Sequence, residues 1–261
     1  MLKKFKNMFP VVLMVGVAAI ANAQTATENF DTDPGWSQYG QPSGVIDFGY
    51  SSSANAGGDA GEAGGLLARF DAADGPSAGS YGVDLGGALT LDDHITFSAK
   101  IYDSGDTEPQ LGFYTEGSMV SSWAPPRSFL GYAPDVNGTA YIKIYSPGGN
   151  VAKKPNLTNT GAFDVTVTYN PDAGAHGQLS ANINGSDTST DISEGVRNSG
   201  VEFTHFGLNV LSDSHASGFR NGGFYIDDVT YSIVPEPTSL GLLGLGGLAL
   251  GLLLRRIRRN S

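Results

Sequence analysis

The chain has no cysteine in 261 residues. That removes disulfide staples, thiolate metal sites and cysteine nucleophiles together. Charge is scarce, at 16% of residues, and acids outnumber bases by 26 to 15. There are four histidines, His94, His176, His205 and His215, and none has a partner at metal-binding spacing. H-E-x-x-H, G-x-S-x-G, the phosphate-binding loop and the glycine-rich dinucleotide fingerprint are all missing. Long apolar runs occur only at the two ends. Between them no stretch beyond about ten residues has the period of a helix.

The ends are therefore informative. The chain opens "MLKKFKNMFPVVLMVGVAAIANAQ". Lys3, Lys4 and Lys6 precede an apolar run from Val11 to Ile20, and Ala21-Asn22-Ala23 is a small-x-small cleavage site. Residues 1–23 read as a secretory signal peptide, too short for a spanning helix. The other end reads "VPEPTSLGLLGLGGLALGLLLRRIRRNS". Residues 237–254 are uncharged and predict a short transmembrane helix. The basic end 255–259, with Arg255, Arg256, Arg258 and Arg259, favours the cytoplasmic side. Without the three lysines of the leader, the four arginines of the tail and Glu236, the part between carries a net charge of −17. A surface this acidic excludes nucleic acid as a partner and suits divalent cations.

Pro235-Glu236-Pro237, an apolar Gly/Leu segment and a basic terminus follow one another in that order. This succession over 234–261 resembles the PEP-CTERM sorting tail of Gram-negative bacteria. The resemblance implies an exosortase, a membrane transpeptidase-like protease, as partner, with cleavage near Pro-Glu-Pro. It implies anchorage in the inner membrane before processing and delivery to the envelope or extracellular matrix afterwards, commonly alongside exopolysaccharide. The prolines hold the preceding segment extended, as a protease requires.

Residues 24–233 alternate as strands do. Ile95, Phe97, Ala99 and Ile101 share one face, with Thr96, Ser98 and Lys100 on the other. Val165, Val167 and Tyr169 alternate with threonines; Leu179, Ala181 and Ile183 form a third set, and Phe206, Leu208 and Val210 a fourth. Asn184-Gly185 reads as a hairpin turn. Glu108 and Glu116 flank a further strand, so they do not meet as a glycosidase pair does. Residues 51–65, "SSSANAGGDAGEAGG", read as a low-complexity mobile loop. Short strands with regular turn punctuation predict one all-β domain, a two-sheet antiparallel sandwich.

That domain begins "TENFDTDPGWSQYG" and closes "NGGFYIDDVTYSIV". The pairing resembles jelly-roll domains of the carbohydrate-binding-module and laminin-G-like type. It implies that the first and last strands lie together and, as in some members, that the ends hold a structural calcium. By that resemblance Asp227 is the first ligand candidate, with Glu28 or Asp31 from the first strand, and Asp228 beside it. The residues themselves leave an alternative open: one or both aspartates face solvent or bind backbone N–H groups. The apolar parity also changes at Asp227-Asp228, so either a β-bulge sits there or both faces are buried. "DTDPGW" reads as an Asx-turn.

With no catalytic motif the domain reads as non-catalytic. Glycan contact is motivated by aromatics, whose flat faces stack on sugars at low entropic cost. In "AYIKIYS", Ile142 and Ile144 should face inward and Tyr141, Lys143 and Tyr145 outward. Tyrosines four residues apart on a strand stand about 13 Å apart. Trp123 and Arg127, in "SSWAPPRSF", add a second candidate contact. Packing of Tyr141 and Tyr145 across strands is the competing explanation. The expected function is polysaccharide contact in the envelope or matrix; the alternatives are a self-associating matrix protein and a divergent glycan-active enzyme.

Overall fold

The computed structural model describes residues 23–40, 45–57, 60–67, 78–104, 109–116, 128–134, 139–154, 161–211 and 222–234. The chain separates into a compact unit, Ala23–Pro235, and a second set comprising Met1–Asn22 and Glu236–Ser261. Residues 1–22 of the expected leader, the sorting residues Pro235, Glu236 and Pro237, the expected span 237–254 and the arginines of the basic end lie outside the described residues, as do Trp123 and Arg127. Among the described residues no helix is long and apolar enough to cross a membrane.

Fifteen strands make up the described unit: β1 (Gln24–Glu28), β2 (Ser37–Tyr39), β3 (Val45–Ser51), β4 (Glu62–Leu67), β5 (Ala78–Thr90), β6 (His94–Asp103), β7 (Pro109–Tyr114), β8 (Phe129–Tyr132), β9 (Ile142–Ser146), β10 (Gly149–Lys153), β11 (Gly161–Asn170), β12 (Gln178–Ile183), β13 (Ser186–Asp191), β14 (Glu202–Leu211) and β15 (Gly222–Val234). One four-residue helix, α1 (Glu194–Arg197), is capped by Ser193. The eight-stranded sheet runs β13-β12-β11-β6-β15-β4-β3, with β1 also paired to β15. The seven-stranded sheet runs β10-β9-β8-β7-β14-β5-β2. Every pairing in both sheets is antiparallel.

The period-two pattern decides which faces meet. Along β6 every second residue, from Ile95 to Asp103, is buried, and β11 and β12 repeat the pattern with Val165, Val167, Tyr169, Leu179, Ala181 and Ile183. Phe206 sits at the centre of the core, its ring 4.7 Å from Tyr231, 4.9 Å from Phe113 and 5.5 Å from Phe97. Aromatic pairs at these separations add to the stabilisation from buried area. Asn184 (φ 49°) and Gly185 (φ 81°) form the turn between β12 and β13, the doubly positive conformation a tight hairpin needs.

The first and last strands do lie together, from Gln24 opposite Ile233 to Glu28 opposite Val229. The parity change in β15 is a bulge: the register with β6 shifts between Asp227 and Thr230, and Asp228 takes φ 47°. Phe224 and Ile226 before it, and Val229 and Ile233 after it, thereby enter one core. Asp33 accepts from the Gly35 N–H at 2.9 Å, the Asx-turn expected there.

The last part of residues 51–65 departs from the mobile loop expected of it. Gly61 to Gly65 are buried, and Glu62–Leu67 is β4, lying between β15 and β3. The strand uses glycine because backbone approaches closely: a Cβ on Gly64 would lie 2.1 Å from the Phe224 carbonyl oxygen. Low side-chain content there marks contact, not mobility.

Candidate functional site

Register places three residue rows side by side on the outer face of the seven-stranded sheet. Tyr145 stands opposite Phe129, Phe129 opposite Tyr114, Tyr114 opposite His205, and His205 opposite Asp84. Two positions along each strand, Lys143 stands opposite Gly131, followed across the sheet by Gly112, Gly207 and Gly82. In the third row the main chain of Tyr141 bonds to that of Ala133, Gln110 lies level with Ala133, and Asn209 and Ser80 follow, ending at Tyr39. Tyr141, Lys143 and Tyr145 thus lie on the three rows, half-buried and alternating with the buried Ile142 and Ile144, and β10 adds Asn150 opposite Tyr145 and Ala152 opposite Lys143. Lys143 Nζ lies 4.7 Å from the centre of the Tyr141 ring, a cation–π contact. Tyr145 also packs against Phe129, with ring centres 6.2 Å apart, so cross-strand packing and outward display coexist.

The glycine row has a steric origin. A Cβ on Gly112 or Gly131 would come 2.2 Å from a carbonyl oxygen of the neighbouring strand, and one on Gly82 would meet the Tyr114 hydroxyl at 2.5 Å. Tyr114 lies across the row and hydrogen-bonds the Ser80 side chain; burial pushes its pKa up to about 12. His205 stacks on Tyr114 at 5.6 Å, shares a 2.8 Å hydrogen bond between Nδ1 and the Thr204 hydroxyl, and has Nε2 3.8 Å from Glu116. His94 is elsewhere, 3.0 Å from Asp172. Gln110, Asn209 and Ser80 form a buried polar wall, and Gln110 Oε1 has no hydrogen-bond partner among the described residues. Sequence reasoning missed this wall and Tyr114. The signal was present in "HFGLNVL": if Phe206 and Leu208 face in, His205, Gly207 and Asn209 face out.

The acidic candidates gather only in part. Asp227 is 2% exposed; its Oδ1 accepts from the Asp228 N–H at 2.7 Å. Burial raises its pKa, the Asp228 N–H and Lys100 oppose this, and the charges of Asp228 and Glu62 add to it. Asp228 instead turns to Lys100, at 2.5 Å. Glu28 accepts from the Phe30 N–H at 3.2 Å, and exposed Asp31 accepts from the Asn29 amide. Among the described residues no three His, Cys, Asp or Glu side chains converge on a metal position, so the four named acids are not one ligand set. The unforeseen neighbour of Asp227 is Glu62, with no exposure. Its Oε1 accepts from Ser53 Oγ at 2.6 Å and Asn55 Nδ2 at 2.5 Å, and its Oε2 accepts from Ala56 N at 2.8 Å. Both Glu62 oxygens are thus met by N–H and O–H donors, and carboxylates such as Glu62 and Asp227 are of the hard oxygen type that calcium takes.

Residues 234–259 match the PEP-CTERM protein-sorting motif. No curated protein matches the chain. Solved structures share the sandwich at low identity. Arcelin-5, a lectin-like defense protein from Phaseolus vulgaris, aligns with TM-score 0.52 and 11% identity over 81% of this chain and 98% of its own. The endo-β-1,4-glucuronan lyase of the fungus Trichoderma reesei gives 0.53 and 11% over 79% and 94%. Basic winged bean lectin with Tn-antigen gives 0.50 and 11% over 81% and 98%. The chain is a lectin-like, two-sheet β-sandwich carrying a PEP-CTERM sorting motif.

Proposed function

We propose that this is an exported protein, sorted by an exosortase to the envelope or extracellular matrix, that contacts polysaccharide without catalysis through the outer face of its seven-stranded sheet. The observation that carries the binding half is the part-exposed set Tyr141, Lys143 and Tyr145 on one face of β9 and the residue just before it, backed by three rows of aromatic, glycine, and amide and hydroxyl character. Tyr141, Lys143 and Tyr145 are the part-exposed members, so their aromatic faces would take sugar C–H surfaces and the Lys143 ammonium a sugar hydroxyl, with the buried Phe129, Tyr114, Gln110, Asn209 and Ser80 supporting them. Two proteins of the same architecture are named for carbohydrate, the lectin with Tn-antigen and the glucuronan lyase. The sorting half rests on the motif at 234–259. A calcium ion held by Asp227 and Glu62, with oxygens of Asn55 and Ser53, would stabilise the corner where β4 meets β15.

The test is a polysaccharide array, including the producing cell's own exopolysaccharide, probed with purified residues 23–235. Specific binding is expected, weakened about tenfold by Tyr141→Ala, which corresponds to about 1.4 kcal/mol. Binding that ignores this substitution would move the ligand off this face. Absence of binding with the fold intact would favour a structural matrix role, and glycan turnover would replace the non-catalytic reading.

A further inference from the structure

The sorting match begins at Val234, which is also the last residue of β15. No linker separates the folded strand from Pro235. Just upstream, β15 is held on both sides. Thr230, Tyr231, Ser232 and Ile233 pair with Ser98, Phe97, Thr96 and Ile95 of β6. The same four residues pair with Thr27, Ala26, Thr25 and Gln24 of β1.

The two neighbours are unequal. β6 lies inside the sheet and contributes Ile95, Phe97, Ala99 and Ile101 to the core. β1 is an edge strand with no buried side chain. Its side-chain bonds to β15, Thr25 to Ser232 and Thr27 to Thr230, are both 3.1 Å and exposed. Releasing β1 leaves β15 paired to β6 and the core closed.

Proteases commonly take an extended substrate as an added strand, through main-chain hydrogen bonds along a free edge. At about 3.4 Å per residue, any bond within Pro235–Pro237 lies within about 10 Å of Val234. A cleft that grips a few residues before that bond must engage the segment β1 covers.

We propose that the sorting protease acts on a chain in which β1 is detached from β15, so that docking of β1 closes the cleavage site. This rests on the exosortase reading above. The surface concerned is the edge of residues 230–233, and the partner is a membrane protease that occupies that edge in place of β1. Processing then competes with the last step of folding: chains that dock β1 first are cut slowly.

The test follows conversion of the full-length chain to its processed form by pulse-chase in cells that contain the sorting protease. One variant inserts a Gly/Ser linker of about six residues after Val234, long enough to carry the motif clear of the strand. Two others are Ala26→Pro and Thr27→Pro. Successive residues alternate in aiming N–H at the partner strand, so one of the two removes a ladder hydrogen bond. The expected result is several-fold faster conversion for the linker variant and for one proline variant, with no further gain when the two are combined. The linker variant alters no paired residue, so it decides the matter if the prolines lower protein yield. Unchanged conversion of the linker variant, with Pro235→Ala/Glu236→Ala blocked, would overturn the proposal alone. Normal processing of that double alanine variant would overturn the exosortase reading and the proposal with it.

Discussion

The hydroxyl of Tyr132 is buried between the sheets with no hydrogen-bond partner among the described residues, and burial, then the charge of Asp103, raises its pKa well above that of a free phenol. A buried unpaired hydroxyl is a net cost. Tyr132→Phe keeps the ring against Phe163 and Phe224. It is expected to stabilise the domain by about 1 kcal/mol in denaturant unfolding; destabilisation would show that the hydroxyl is satisfied. Asp227 has the opposite bookkeeping of charge. Its raised pKa means that the native state binds the proton more tightly than the unfolded chain does, so stability falls as pH climbs from the ordinary aspartate value of 3.8 through the raised one. In EDTA at neutral pH, Asp227→Asn is therefore expected to melt higher than wild type. With calcium, wild type should gain several degrees and the variant none, because only the native wild-type site binds the ion. Identical wild-type melts in calcium and EDTA would sink the calcium proposal. At this scale the sequence was legible wherever one strand sufficed. Tyr141, Lys143 and Tyr145 sit on the outer face by parity alone. Glu62, Gln110 and Asn209 were not foreseen, because each acquires meaning from a strand distant in sequence.

Among the elements, β6, β11 and β12 could be read directly, since one face is apolar and the other carries Thr, Ser and Asn. β4 could not. Its Glu-Ala-Gly-Gly start lacks the β-branched and aromatic side chains that mark a strand, and what places it is backbone contact with β15. Two glycines separate the physical roles. Gly185 has open space around a would-be Cβ but φ 81°, so Gly185→Ala should cost about 1 kcal/mol through the turn alone. Gly131 would place a Cβ 2.2 Å from the Leu111 carbonyl oxygen, so Gly131→Ala forces two strands apart and should cost about 3 kcal/mol or more. Equal losses in denaturant unfolding would show that the sheet relaxes around Gly131.

For the molecule as a whole, strong acidity and the proposed glycan contact are compatible, because the three rows hold little charge. From β9 to β2, Lys143 is the one Lys or Arg on them among the described residues. Glycan affinity is therefore expected to change by no more than about twofold between low and high salt, as screening acts on charges rather than on stacking; a steep salt dependence would move the contact to a charged surface. The fold class and the meeting of the two ends were visible in the opening and closing segments. The row pattern was not, because it is a product of sheet order. One feature of that order bears on mechanics. β15 is an interior strand, flanked by β6 on one side and by β4 and then β1 on the other. When a molecule held through the residues after Val234 is pulled along the axis of that strand, the load enters at β15. Ladder hydrogen bonds lie across this axis and bear the load together, in shear, instead of peeling open one at a time as at a sheet edge.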